Sequence, residues 1–228
     1  MLSGEMGMAG TLIVLEGLDG SGKSTQLLQL EQALVGSGKT THKIKLPDYE
    51  DDSSALVRMY LGGAFGSDPQ SVNAYTASAF YAVDRAANYL RKWRTQYEAG
   101  EIILADRYTT SNAYHQLQKM PREQWDAYLS WLEDFEYGKL GVPRPDCVIY
   151  LDMPIDVSQK LLMRRYDGDA GKKDIHEANV AYLRSCRTAA LYAADKLGWH
   201  VISCAEGDEP RSIESIANEA AQIVFKEI

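Results

Sequence analysis

Lys23 and Ser24 close the run Gly17-Leu18-Asp19-Gly20-Ser21-Gly22-Lys23-Ser24-Thr25, whose G-x-x-x-x-G-K-S spacing suits it to cradle a polyphosphate. The glycines let the backbone curl so that successive N–H groups face the anion. Lys23 can neutralise the outer phosphates, and the Ser24 hydroxyl can hold Mg²⁺. Asp19 is out of character in a loop built for anions. Either it points away from the phosphates, or it grips something polar such as a sugar hydroxyl. Asp106-Arg107 supplies a second set of charges. Arg107 could bridge two phosphates or merely pair with Asp106, while Asp106 could orient a water on Mg²⁺. Further along, Arg164, Arg165, Lys172 and Lys173 flank a stretch containing glycine, placed so that it could close over phosphates and exclude water.

These residues need elements to carry them. Five short segments, at 12–16, 41–46, 102–105, 147–152 and 199–204, read as strands in apolar or part-apolar runs, and helical patterns separate them. Three of the runs are almost unbroken rather than alternating, as in strands covered on both faces. The fold class is therefore α/β: a five-stranded parallel, doubly wound sheet flanked by helices, in a single domain spanning 1–228. Ligands in such sheets gather beyond the carboxyl ends of the strands, where Asp19, Tyr49, Asp106 and Arg107 fall. A long helix is expected from Ser71 to Tyr97, with Val72, Tyr75, Ala79, Val83, Ala86, Leu90, Trp93 and Tyr97 as its core stripe. Tyr81, Arg85 and Asn88 share another side, either a surface patch or an aromatic ring and a guanidinium one turn apart. Helices are also expected at 122–137, from Met153-Pro154 to Arg165, at 175–197 and at 213–228, with a mobile lid loop over about 166–174.

Composition narrows the function. At 228 residues, 45% hydrophobic and 25% charged, with net charge −8, the chain reads as a soluble protein whose main partner is neither a nucleic-acid polymer nor a membrane. Its three cysteines, Cys147, Cys186 and Cys204, have no metal spacing and read as buried thiols of a reduced, cytoplasmic protein. Residues 1–10 read as a frayed tail rather than a leader.

The phosphate loop, Leu46-Pro47-Asp48-Tyr49, Tyr81-Ala82-Val83-Asp84-Arg85 and the run Asp106 to Asn112, in that order, resemble the thymidylate kinases among P-loop nucleoside monophosphate kinases. The resemblance covers Thr11 to about Leu197. It implies a P-loop kinase fold, homodimers, and transfer of the ATP γ-phosphate to dTMP with Mg²⁺. It also implies that Tyr81 stacks on thymine, Arg85 donates to a thymine carbonyl, and Ser111 and Asn112 belong to the substrate site. His115 would lie near the sugar, Asp19 at the 3′-hydroxyl, and Tyr49 and Arg107 at the acceptor phosphate. The chain departs from the family's pattern in three places. Gly20 stands where some members carry arginine, which leaves that charge to lid cations such as Arg164 or Arg165. Leu46 and Tyr81 stand where phenylalanine is common. Two rival readings are a deoxynucleoside kinase, which needs a general base and no cation for an acceptor phosphate, and a nucleotide-dependent regulatory ATPase or switch.

Overall fold

The structure, a computed structural model, describes residues 9–66, 68–165 and 180–228. In chain order the elements are β1 (Thr11–Glu16), α1 (Lys23–Gly36), β2 (Thr41–Lys45), α2 (Ala55–Leu61), α3 (Ala74–Asn88), a π-helical turn (Tyr89–Trp93), α4 (Arg94–Glu98) and β3 (Ile102–Asp106). They continue as α5 (Thr109–His115), α6 (Trp125–Glu133), β4 (Cys147–Asp152), α7 (Ile155–Arg165), α8 (Val180–Leu197) and β5 (His200–Ser203). A two-stranded ribbon of β6 (Ala205–Glu206) and β7 (Glu209–Pro210) precedes α9 (Ile213–Glu227).

The five long strands form one parallel sheet in the order β2-β3-β1-β4-β5. Because side chains alternate along a strand, a run apolar at every position must be buried on both faces. β1 shows this: Leu12 and Val14 pack with Ile44, Leu46 and Trp93, while Ile13 and Leu15 pack with Leu30, Leu34 and Val224 on the opposite face. A third cluster joins α5, α6 and α8 through Tyr114, Tyr128, Leu129, Leu183 and Ala190. Since β1 lies between β3 and β4, the loops after β1 and β3 open into one crevice at the carboxyl edge of the sheet.

The expected strands and major helices are present, and Cys147, Cys186 and Cys204 are free and buried. Several details differ. The long helix begins at Ala74, where the Asn73 side chain accepts from the Thr76 N–H at 2.9 Å, rather than at Ser71. Its expected core stripe is wrong in part: Tyr75, Val83 and Leu90 are 41%, 50% and 61% exposed, although Val72 and Trp93 are buried. The inward face instead carries Ala74, Ala77, Ser78, Ala82, Arg85 and Asn88. Of the polar ones, Arg85 lines a cleft at the carboxyl edge of the sheet, while Ser78 bonds to Tyr128 and Asn88 donates to Asp48. The expected helix at 122–137 divides into a 3₁₀ turn, α6 and a π turn over Asp134–Lys139. Gly10, read as part of the tail, is buried, and its N–H donates to Tyr97 O at 2.7 Å. The lid at 166–174, with Lys172 and Lys173, lies outside the described residues, as do the side chains of Arg164 and Arg165.

Candidate active site

The phosphate loop is shaped by its glycines and pinned by its neighbours. A Cβ on Gly17 would sit 2.6 Å from Ser21 Oγ and 2.9 Å from Leu151 O, so no side chain fits there. Gly22 caps α1 with φ 88°, in the left-handed region, and offers no side chain to the helix's first N–H groups. Those donors and the positive end of α1 are thus directed at whatever anion the loop holds. Gly17 and Leu18, both expected to touch nucleotide, stand back from the cleft. The Gly17 carbonyl accepts from Lys23 Nζ at 2.7 Å, and the Leu18 side chain is packed in the core.

Asp19 turns out to be held by two cations. Arg107 Nη2 donates to its Oδ1 at 2.8 Å, and Lys23 Nζ lies 3.9 Å from the same oxygen. Burial alone would raise the Asp19 carboxyl, but Arg107 and then Lys23 reverse this and hold it well below the usual carboxylate range. Burial also lowers the Lys23 ammonium to about 8, with Arg107 adding to the fall against the attraction of Asp19, Asp106 and Glu16. Arg107 therefore pairs with Asp19, not with its neighbour Asp106. Its backbone has φ 69°, unusual outside glycine, and its N–H donates to Leu15 O at 3.2 Å. Strain of this kind gathers where a side chain must be aimed.

Two clefts meet at this pair. One, of about 710 Å³, runs over the phosphate loop from Asp19 to Thr25 and on to Met153, Arg211 and Ile213. The other, of about 260 Å³, is lined by Tyr81, Arg85, Ser111, Asn112, His115 and Tyr182, among others. Asp19, Lys45, Leu46, Pro47, Tyr49 and Arg107 line both. The structure thus brings Tyr81, Arg85 and Asn112 to one cavity and the loop to the next, with Arg107 in the shared wall. Leu46, the departure from phenylalanine, occupies that wall as well.

Within the second cleft, several side chains have part of their bonding already committed. The Ser111 hydroxyl donates to Glu16. Arg85 forks onto Glu136, Nε to Oε2 at 2.6 Å and Nη2 to Oε1 at 2.7 Å. Although burial works against the Arg85 charge, Glu136 more than offsets it. His115 Nε2 lies 3.3 Å from Arg107 Nη1, which can only donate, so this nitrogen is the acceptor and Nδ1 carries the hydrogen toward Tyr182 Oη at 3.1 Å.

Ser24 Oγ lies 3.5 Å from Asp106 Oδ2 at the end of the loop. One hydroxyl beside one carboxylate is a hard-oxygen donor set of the kind that suits Mg²⁺, which takes its remaining ligands from phosphate and water. The residues fit the ion.

A family model described as thymidylate kinase matches residues 15–213. The chain belongs to the thymidylate kinase family. It is accordingly a nucleoside monophosphate kinase, and the expected family and fold are borne out. Thymidylate kinase of Mycobacterium tuberculosis strain H37Rv is 27% identical over 183 residues, 80% of this chain and 84% of that protein. The thymidylate kinase of Nostoc punctiforme is 28% identical over 221 residues, 97% of this chain and 96% of its own. Among solved structures, thymidylate kinase from Candida albicans superposes with a TM-score of 0.68 at 18% identity, covering 96% of this chain and 92% of that one. That likeness speaks to the fold alone.

Sequence reasoning missed four contributors to this thymidylate kinase site. Glu16, fully buried, accepts from Tyr108 N, Thr110 Oγ1, Ser111 Oγ and Tyr114 Oη. Its signal was a charged residue ending an otherwise apolar strand. Glu136 carried no such signal, because it approaches Arg85 across 51 positions of chain. Lys45, in the shared wall, falls inside the expected strand 41–46 and belongs to no motif. The Arg211 and Ile213 end of the first cleft had no readable motif.

Proposed function

We propose that the protein transfers the γ-phosphate of ATP to dTMP, giving ADP and dTDP, with Mg²⁺ as the metal and a homodimer of cytoplasmic chains as the working form. The observation that carries this reading is the shared wall: one cleft over the phosphate loop, a second lined by an aromatic ring and amide and guanidinium groups, and Arg107 between them. Phosphoryl transfer needs little covalent help. It needs two anions brought together in line and their charge cancelled. ATP lies in the larger cleft, its phosphates on the loop's N–H groups and Lys23. The dTMP lies in the smaller, its base on Tyr81 and against Arg85 and Asn112, its sugar by His115 and Asp19, and its phosphate toward Tyr49 and Arg107. Ser24 and Asp106 would hold Mg²⁺, which supplies further neutralisation of the phosphate oxygens. Arg107, anchored by Asp19, is aimed where both phosphate groups converge and stabilises charge on the transferring group. Arg164 and Arg165, at the end of α7, are proposed to add lid charge in place of the arginine that Gly20 replaces. The thymine methyl is worth only about 1 to 3 kcal/mol in an apolar pocket, so dTMP is favoured over dUMP without excluding it.

The exposed apolar stripe of Tyr75, Val83 and Leu90 supports the homodimer, because such a face on a helix beside the site is suited to a second copy. The decisive assay couples ADP release to turnover of dTMP, dAMP, dCMP and dGMP. Highest kcat/KM with dTMP is expected, and turnover with dTMP no higher than with the others overturns the reading.

A further inference from the structure

Glu136 lies behind the second cleft, fully buried and absent from its lining, yet it touches two residues that form the base end of that cleft. Its Oε2 accepts from Arg85 Nε at 2.6 Å and Thr109 Oγ1 at 2.9 Å. Its Oε1 accepts from Arg85 Nη2 at 2.7 Å and Asn112 Nδ2 at 3.2 Å. Two oxygens with two acceptor sites each are thereby filled.

These bonds fix what the cleft can read. A carboxylate bound to a guanidinium only accepts, and so does the Ser78 carbonyl that meets Asn112 Nδ2 at 3.3 Å. Both contacts force the amide nitrogen of Asn112 away from the cleft, leaving Oδ1 as the atom it offers there. The orientation follows from the partners and not from any choice between look-alike atoms. Arg85 likewise spends Nε and one N–H of Nη2 on Glu136, and one N–H of Nη1 on Tyr108 O at 3.1 Å. What remains to this cleft-lining guanidinium is donors only, with its charge already matched by Glu136. The base end therefore presents an acceptor beside donors and no net charge.

We infer that Glu136 is a positioning residue for base selection: by locking Asn112 as an acceptor and Arg85 as a donor, it matches the cleft to a pyrimidine bearing an N3–H next to a carbonyl. Thymine and uracil carry that pattern. Cytosine reverses it, with an acceptor at N3 and an exocyclic amine, and would leave donor against donor and acceptor against acceptor. The inference rests on the second cleft being the dTMP site and adds the buried group that sets its polarity.

Glu136→Gln tests it. Neither orientation of the new amide can accept from Arg85 at both Nε and Nη2, so the fork is broken either way: one places an NH₂ against Arg85 Nη2 and Asn112, the other against Arg85 Nε and Thr109. The kcat/KM ratio of dTMP to dCMP is expected to fall at least about tenfold, through a higher KM for dTMP and with KM for ATP unchanged. An unaltered ratio in a folded variant overturns the inference, as does a loss in which the KM for ATP rises alongside that for dTMP. Because breaking a buried pair can prevent folding, a crystal structure of the unaltered enzyme with dTMP provides the second test. Arg85 still forked onto Glu136 and Asn112 still donating to it support the inference; Arg85 released from Glu136 to reach the base overturns it. Failure of the unaltered enzyme to prefer dTMP over dCMP would instead defeat the functional reading itself.

Discussion

Replacing Asp19 by Asn removes the anion between a buried cation, Lys23, and a half-buried one, Arg107, and the consequence can be worked out from the geometry. Asp19 Oδ1 is 2.8 Å from Arg107 Nη2 and 3.9 Å from Lys23 Nζ. Unit charges about 4 Å apart interact by roughly 4 kcal/mol at an effective dielectric near 20. The Asp19 side chain is 33% exposed, so screening reduces the net loss to about 2 kcal/mol. For a chain of this size that is a fall in Tm of about 4 to 8 °C. The same variant should recover much of the gap when ADP and dTMP, which cannot react together, supply phosphate charge to Lys23 and Arg107. Thermal melting with and without this pair reads both effects. The reasoning is refuted if D19N melts with the parent, or if its deficit is undiminished at saturating ADP and dTMP. The sign in pH is also set. Because the folded-state carboxyl is held below its ordinary range, Asp19 contributes stability above about pH 4 that is lost as pH falls below it.

Lys23, lowered to about 8, is the cation for ATP only while protonated, so the KM for ATP should be level below about pH 7 and climb as pH rises through 8. A level KM to about pH 9 would show that Lys23 keeps its charge. For folding the sign is opposite: between about 8 and 10.5 the native lysine binds fewer protons than the unfolded one, so its burial penalty shrinks as pH rises. Glu16→Gln should cost about 3 kcal/mol, since hydrogen bonds to a buried charge are among the stronger ones, and urea unfolding with an unmoved midpoint would contradict the anchoring role. Val83→Glu, on the exposed stripe of α3, should halve the mass seen in sedimentation while leaving chain stability within about 0.5 kcal/mol. A mass equal to the parent's removes that stripe from the dimer.

Legibility tracked how local the physics was. The phosphate loop is readable because its requirements, glycines for the curl and a lysine and hydroxyl for the anion, fall within nine consecutive residues. The three central strands, β1, β3 and β4, were readable because burial on both faces demands unbroken apolar runs. The helix stripe misled because periodicity identifies an apolar face without saying what covers it. Tyr75, Val83 and Leu90 are exposed on this chain, while Ala77, Ala82 and the polar Arg85 and Asn88 turn inward. Asp19 could be recognised as unusual from its neighbours, but not resolved, since its partner Arg107 is 88 positions away.

By itself the amino-acid sequence determined the parallel α/β sheet, the anion-binding loop and the family, because each rests on residues close together in the chain or on a linear order of motifs. Only the tertiary structure decided which charges are free and which are spent. Arg107 is anchored by Asp19, Arg85 and Asn112 by Glu136, and Ser111 and Tyr114 by Glu16. A buried charge must find its partner wherever the fold brings one, and no spacing along the chain records where that is.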